Sequence, residues 1–216
     1  MACKSKISWQ YPAVEFFTGL IFLGVFAENG AFLSDLEMSF SLILGIVLEL
    51  LIWCILIVIT AYDLKHKIIP DSLVFSFAGL SLFRLLLAPL EIAGASPGVP
   101  FITWWNLLAG PVFALPFFLL WLVSRGKWIG LGDAKLALGI GWFMGLSLGF
   151  SSIILGFWIG AGVGIILMIL SKLHFLKVRI GRKTELPFAP FLILGVALTF
   201  FFKINVLSFD FLKWSF

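Results

Sequence analysis

Asp63, in "AYDLKHKIIPDSL", and Asp133, in "RGKWIGLGDAKL", each sit where an apolar stretch meets a basic one. Two carboxylates that share a site cannot both ionise cheaply, so one keeps a proton while the other is charged. Such a pair can activate a water as base and protonate a leaving amine as acid, which is what aspartic proteolysis requires. Each residue also has a plainer reading. Asp133 precedes the apolar run "AKLALGIGWF" and fits a helix N-cap, as does Asp71, which follows Pro70 and opens an apolar run of its own. Asp63 ends an apolar run, where the helix dipole disfavours an anion. It needs a cation, such as Lys67 at i+4, or a use for its proton. Gly130 and Gly132 bracket Leu131 just ahead of Asp133, and glycine admits positive φ and close backbone approach. A substrate strand could lie against that segment.

The elements that must position these residues are set by composition. The chain has 216 residues, 62% hydrophobic and 12% charged, with a mean hydropathy of +1.15. A soluble domain cannot bury that much apolar surface, so the expected fold is an all-α polytopic membrane bundle. A span needs about 20 mostly apolar residues. Seven are expected, at 13–28, 41–62, 72–90, 104–124, 134–150, 151–171 and 187–207. They form one membrane domain over 13–207, with a cytoplasmic N-terminal stretch at 1–12 and a tail at 208–216. No signal peptide is evident.

Charge divides the loops. Lys4, Lys6, Lys65, Lys67, Arg125, Lys127, Lys135, Lys172, Lys177, Arg179, Arg182 and Lys183 all fall on one side, whereas "ENGAFLSDLEMS" and "LEIAGASPGVP" contain no Lys or Arg. The positive-inside bias puts the N-terminus in the cytoplasm and both aspartates at the cytoplasmic edge. Small residues at Gly141, Gly145 and Gly149, and again at Gly156, Gly160 and Gly164, are expected to pack helices five and six closely.

Other polar residues carry less. Glu49, mid-span and about 21 Å along the helix from Asp63, is either a functional carboxylate or one bonded between helices. Glu15 opens the first span, where the dipole favours it. His66 and His174 lie in basic loops without partners at metal-ligand spacing. The run "KLHFLKVRIGRK" faces the anionic inner leaflet. Nothing presents a basic face with stacking aromatics outside lipid, so nucleic acid is not an expected partner. Cys3 and Cys54 make neither a disulfide framework nor a zinc site, and no metal or other cofactor is expected.

Taken in order, "YDLKHKIIPDSL", "GLGDAKL" and "LPFAPFL", behind an opening "CKSKISWQYPAVEFFTG", resemble the type IV prepilin peptidases, membrane aspartic peptidases with a G-x-G-D signature. The likeness runs from about Cys3 to about Gly195. It implies that Asp63 and Asp133 are the catalytic aspartates. It implies motif or substrate-binding roles for Gly130, Gly132, Lys135, Pro70, Asp71, Pro187, Phe188 and Pro190. Its implied substrates are prepilin-like proteins, whose short basic leader is cut off after a glycine at the cytoplasmic face of the bacterial inner membrane. Two departures stand out. Bifunctional members carry two C-x-x-C pairs that bind zinc and accompany N-methylation, and Cys3 matches only the last of those cysteines, so methyl transfer is not expected. Ala189 stands where the Pro-Phe-Gly-Pro motif has glycine, and its methyl is expected to narrow a substrate-facing turn. Rival readings are a transporter relaying protons or cations through Glu49, Asp63 and Asp133, and a catalytically silent homologue in pilus assembly.

Overall fold

The computed structural model describes residues 10–33, 40–93, 104–173 and 187–206. Six helices make it up: α1 (Gln10–Leu33), α2 (Phe40–His66), α3 (Asp71–Ala93), α4 (Trp104–Ser124), α5 (Leu131–Lys172) and α6 (Ala189–Phe202). No strand occurs among the described residues, as an all-helical bundle requires. α1, α2, α4 and α5 are long and apolar enough to cross a membrane, while α6 is a shorter apolar helix. Phe16, Leu20 and Leu23 on α1, and Val112, Leu115 and Leu119 on α4, are exposed. Water would not tolerate so much outward apolar surface on a bundle this small.

The expected fifth and sixth spans form one element. α5 has 42 residues, and a straight rod of that length would reach about 63 Å, twice a bilayer's hydrocarbon core. It does not run straight. Gly145 has φ 70° and ψ −173°, a conformation that side-chain-bearing residues rarely adopt. The contacts with α4 reveal the direction of each limb. Asn106 lies by Gly145, and Ala109 by Gly141, so the first limb (131–144) runs against α4's direction. Phe113 meets Gly149 and Phe117 stacks on Phe157, so the second limb (146–172) runs with it. α5 is therefore a helical hairpin whose corner is Gly145, not the expected junction at 150–151. Residues there stay helical, with Ser151 and Ser152 returning their hydroxyls to the carbonyls of Ser147 and Leu148.

The glycines do allow close packing, though not as one stripe between two limbs. At Gly141 a Cβ would stand 2.5 Å from the backbone oxygen of Ala109 on α4. At Gly156 it would meet the α6 backbone at Leu192, 2.9 Å away. Gly195 returns the contact, crossing over Ser152 and Gly156. α4 contains Pro111 and Pro116. Pro111 cannot donate to the carbonyl of Leu107 four residues back, and the indole N–H of Trp142 takes that acceptor at 2.9 Å.

The bundle has two recognisable ends. At one lie the starts of α3, α5 and α6 and the finish of α2. At the other, Trp53, Phe143, Phe200 and Phe201 form an aromatic knot, and Lys203 pairs with Glu28 at 3.0 Å.

Candidate active site

Asp63 and Asp133 both lie at the first of these ends, buried to 4% and 8% exposure. They are close enough that the charge of Asp63 acts on Asp133. Each is held by backbone groups and not by a cation. α2 ends at His66, where Lys67 turns left-handed (φ 53°) and its backbone N–H closes on the carbonyl of Asp63 at 2.8 Å. The side chain of Lys67 is exposed, and no ion pair joins it to Asp63 among the described residues. Instead the Asp63 carboxylate accepts a hydrogen bond from the backbone N–H of Ala189, 3.2 Å from Oδ2. Ala189 is the first residue of α6, whose N-cap, Phe188, offers no side-chain bond. The first amides of a helix need acceptors from elsewhere, so Asp63 caps α6 across the bundle. Its charge is disfavoured by its own helix end and favoured by another's.

Ala189 is fully buried, and its contact with Asp63 is made through its amide. Pro190 follows within the first helical turn, where a missing N–H costs nothing. Thus Pro187, Phe188 and Pro190 form the start of α6 beside Asp63, and Phe188 packs on Phe117 and Phe157.

Asp133 is not the N-cap. Gly130 holds that position, with extended backbone (φ −73°, ψ 150°), and Asp133 comes third in the helix. From there its carboxylate receives a backbone hydrogen bond from Gly130, the return half of a capping box. Asp133 Oδ1 is buried without a hydrogen-bond partner among the described residues. That free oxygen is an opening for chemistry. Neither motif glycine uses positive φ; the described glycines that do are Gly126 and Gly145. Gly132 serves close approach, since a Cβ there would stand 3.0 Å from Ile69 Cβ. The loop carrying Pro70 thereby presses on the first turn of α5. Gly130 has Asp133 Oδ2 3.5 Å from its own Cβ position, an ordinary contact.

Lys135 and Asp71 meet across that junction at 2.6 Å, with the Lys135 ammonium 4.9 Å from the Phe75 ring centre. Asp71 is the first residue of α3 and not its expected N-cap, a place taken by Pro70, whose carbonyl accepts from the Val74 N–H; its link to Lys135 is not apparent from sequence. Glu49 is resolved as well. It is 2% exposed and paired with Arg84 of α3 at 2.8 Å. A lone arginine inside an apolar run is the signal that would have found its partner. Among the described residues no three His, Cys, Asp or Glu side chains cluster as a metal site needs. Cys3 and His174 lie outside the described residues.

Comparison with known proteins agrees with this geometry. The chain is 30% identical over 194 residues to a prepilin leader peptidase/N-methyltransferase of Stutzerimonas stutzeri, covering 88% of this chain and 58% of that protein. It is 24% identical over 208 residues to the protein of that name from Bacillus subtilis, covering 96% and 72%. For the one from Aeromonas hydrophila the identity is 26% over 193 residues, covering 88% and 57%. The chain thus spans less than two thirds of the length of two of these three relatives. No solved structure matches it. Residues 50–167, more than half of the chain, match the type IV leader peptidase family. That stretch contains α2 from Leu50 onward, Asp63 included, and the G-x-G-D turn at the head of α5, and the chain, an integral membrane protein by its apolar helices, belongs to the type IV leader peptidase family.

Proposed function

We propose that this chain is an aspartic endopeptidase that removes the short basic leader from prepilin-like proteins at the cytoplasmic face of a bacterial inner membrane. The observation that carries the proposal is the burial of Asp63 and Asp133 together at one end of the bundle, each steadied by a backbone N–H. One carboxyl holds a proton and the other does not, and the pair titrates as a unit. The ionised member takes a proton from water as the water attacks the scissile carbonyl. The protonated member donates its proton to the carbonyl oxygen as the tetrahedral gem-diol forms; the member that took the water's proton then gives it to the leaving amine as the C–N bond breaks, and the gem-diol returns a proton to the first donor. The step calls for two carboxyls and a water only. Lys135, Asp71 and Pro70 brace the Asp133 turn against the start of α3, and Pro187, Phe188 and Pro190 set the amide that holds Asp63.

On this reading the limbs of α1 to α6 cross the membrane seven times, the two limbs of α5 counting separately. The N-terminus is cytoplasmic, and the basic residues beside the dyad, Lys65, Lys67, Arg125 and Lys127, lie on the leader's side. Incubating the purified protein with a panel of prepilins and sequencing the new N-termini by mass spectrometry tests the proposal. Release of the leader after a glycine is expected. Intact prepilins throughout the panel would overturn it.

A further inference from the structure

Two carboxyls share the site, and their surroundings tell them apart. α6 opens with few free donors. Pro190 has no N–H, and the amides of Phe191 and Leu192 turn back to the carbonyl of Phe188. The N–H of Ala189 is the first-turn donor left over, and it is given to Asp63 Oδ2 at 3.2 Å. A backbone N–H can donate and never accept, so it supports the charged form of a carboxyl.

Asp133 differs in one respect. Its Oδ1 is shut off from solvent with no hydrogen-bond partner among the described residues, and neither oxygen of Asp63 is stranded in that way. An ionised carboxylate spreads its charge over both oxygens, so a buried oxygen without a partner penalises the ion. A proton on that oxygen removes the penalty. The helix dipoles do not decide the matter, because the first turn of α5 favours an anion at Asp133 too. Nor does the repulsion between the two carboxyls, which limits the pair to one charge without choosing its holder. Among the described residues, the other titratable groups around Asp63 are the exposed Lys65, His66 and Lys67 that follow it and the Lys135–Asp71 pair between α5 and α3. α6 itself carries none.

We infer that Asp63 is the base of the pair and Asp133 the acid, and that the Ala189 amide sets this order. The inference rests on the peptidase reading above and deepens it. Asp63 takes a proton from the water whose oxygen bonds to the scissile carbon, while Asp133 gives the proton on Oδ1 to the carbonyl oxygen. Asp63 then passes the water's proton to the leaving nitrogen as the C–N bond breaks, and the gem-diol returns a proton to Asp133. The dyad ends as it began. Ala189 is a positioning residue in this scheme, acting through Asp63 and not on the substrate.

The test removes the donor and nothing else. L-Lactic acid, placed at position 189 of the full chain by nonsense suppression, exchanges the amide N–H for an ester oxygen and keeps the methyl. The substrate is a synthetic peptide, blocked at both ends, with a dilysine leader, a glycine and an apolar helix of about twenty residues. Loss of the donor withdraws support from ionised Asp63 alone. The base must be ionised to act and the acid must hold its proton, so in a plot of kcat/KM against pH the acidic limb reports the base. That limb should move up by about one unit while the alkaline limb stays. An alkaline limb that moves in its place, or two limbs that stay, would overturn the inference. If the ester protein does not fold, infrared spectra of Asp63→Asn and Asp133→Asn decide, taken at neutral pH in ester-free detergent with isotope-labelled aspartate carboxyls. The band of a protonated aspartate should persist in Asp63→Asn and vanish in Asp133→Asn; any other pattern overturns the assignment. Failure of the unmodified chain to cut the peptide would instead overturn the peptidase reading.

Discussion

An amide in place of either dyad carboxyl keeps the shape and removes the proton that must move. Asp63→Asn and Asp133→Asn should therefore each abolish prepilin cleavage, scored by gel shift in isolated membranes, while both proteins accumulate normally. Asp71→Asn should retain most activity. At the first helical position asparagine forgoes only a charge–dipole interaction of about 0.3–1 kcal/mol, and an ion pair with so exposed a member contributes about 0–1 kcal/mol. A dead Asp71→Asn enzyme would move that residue into the chemistry. The pair that Glu49 makes with Arg84 bears on stability. Among the described residues Oε1 of Glu49 and Nε of Arg84 are buried without partners beyond the pair's own bond, so cutting the pair strands a charge in an apolar interior. Removing one partner of a buried pair costs roughly 3–5 kcal/mol, less here because Arg84 is about a third exposed. Arg84→Met should lower the melting temperature in detergent more than the double substitution Arg84→Met with Glu49→Leu. Equal losses would mean that the pairing is incidental.

Helix starts and corners decide the geometry, and they are the hardest features to read from sequence. The apolar runs locate every helix to within a few residues, because a membrane bundle writes its spans as composition. They put the corner of α5 several residues late, since any glycine in an apolar run can either pack or turn. Only the partners, Ala109 for Gly141 and Asn106 for Gly145, separate the two uses. The two aspartates are legible from motif and membrane edge; the amide that holds Asp63 is not, because a backbone donor carries no side-chain signature. Substitutions check the assignment. Gly195→Ala would drive a methyl into the backbone of Ser152 and Gly156 and should separate α6 from α5, lowering both stability and cleavage. Gly145→Ala should cost about 1–3 kcal/mol in backbone strain. Gly19→Ala, with nothing within 4 Å of its Cβ position, should change neither, and thermal unfolding of the three proteins in one detergent compares them directly.

The bundle as a whole gathers its chemistry at one end and its aromatic knot at the other, and the proposed orientation can be tested on that polarity. Single cysteines replacing Lys65 or Lys127 should resist an impermeant maleimide added outside the cell, and one replacing Trp105 should react. Labelling at Lys127 from outside would put Asp133 on the wrong face for a basic leader. Cleavage should also survive metal chelation, because two carboxyls and a water suffice; loss of activity in a chelator that added zinc restores would refute the two-carboxyl step. The bond between Ala189 and Asp63 has a further consequence in time. The carboxylate is synthesised 126 residues before the amide that steadies it, which at about 5–20 residues per second is an interval of roughly 6–25 seconds. For the latter part of that interval a ribosome-bound chain already has both aspartates in the membrane, yet it lacks the helix that fixes one of them. On the proposed reading, the dyad would reach its final arrangement only once α6 is in place.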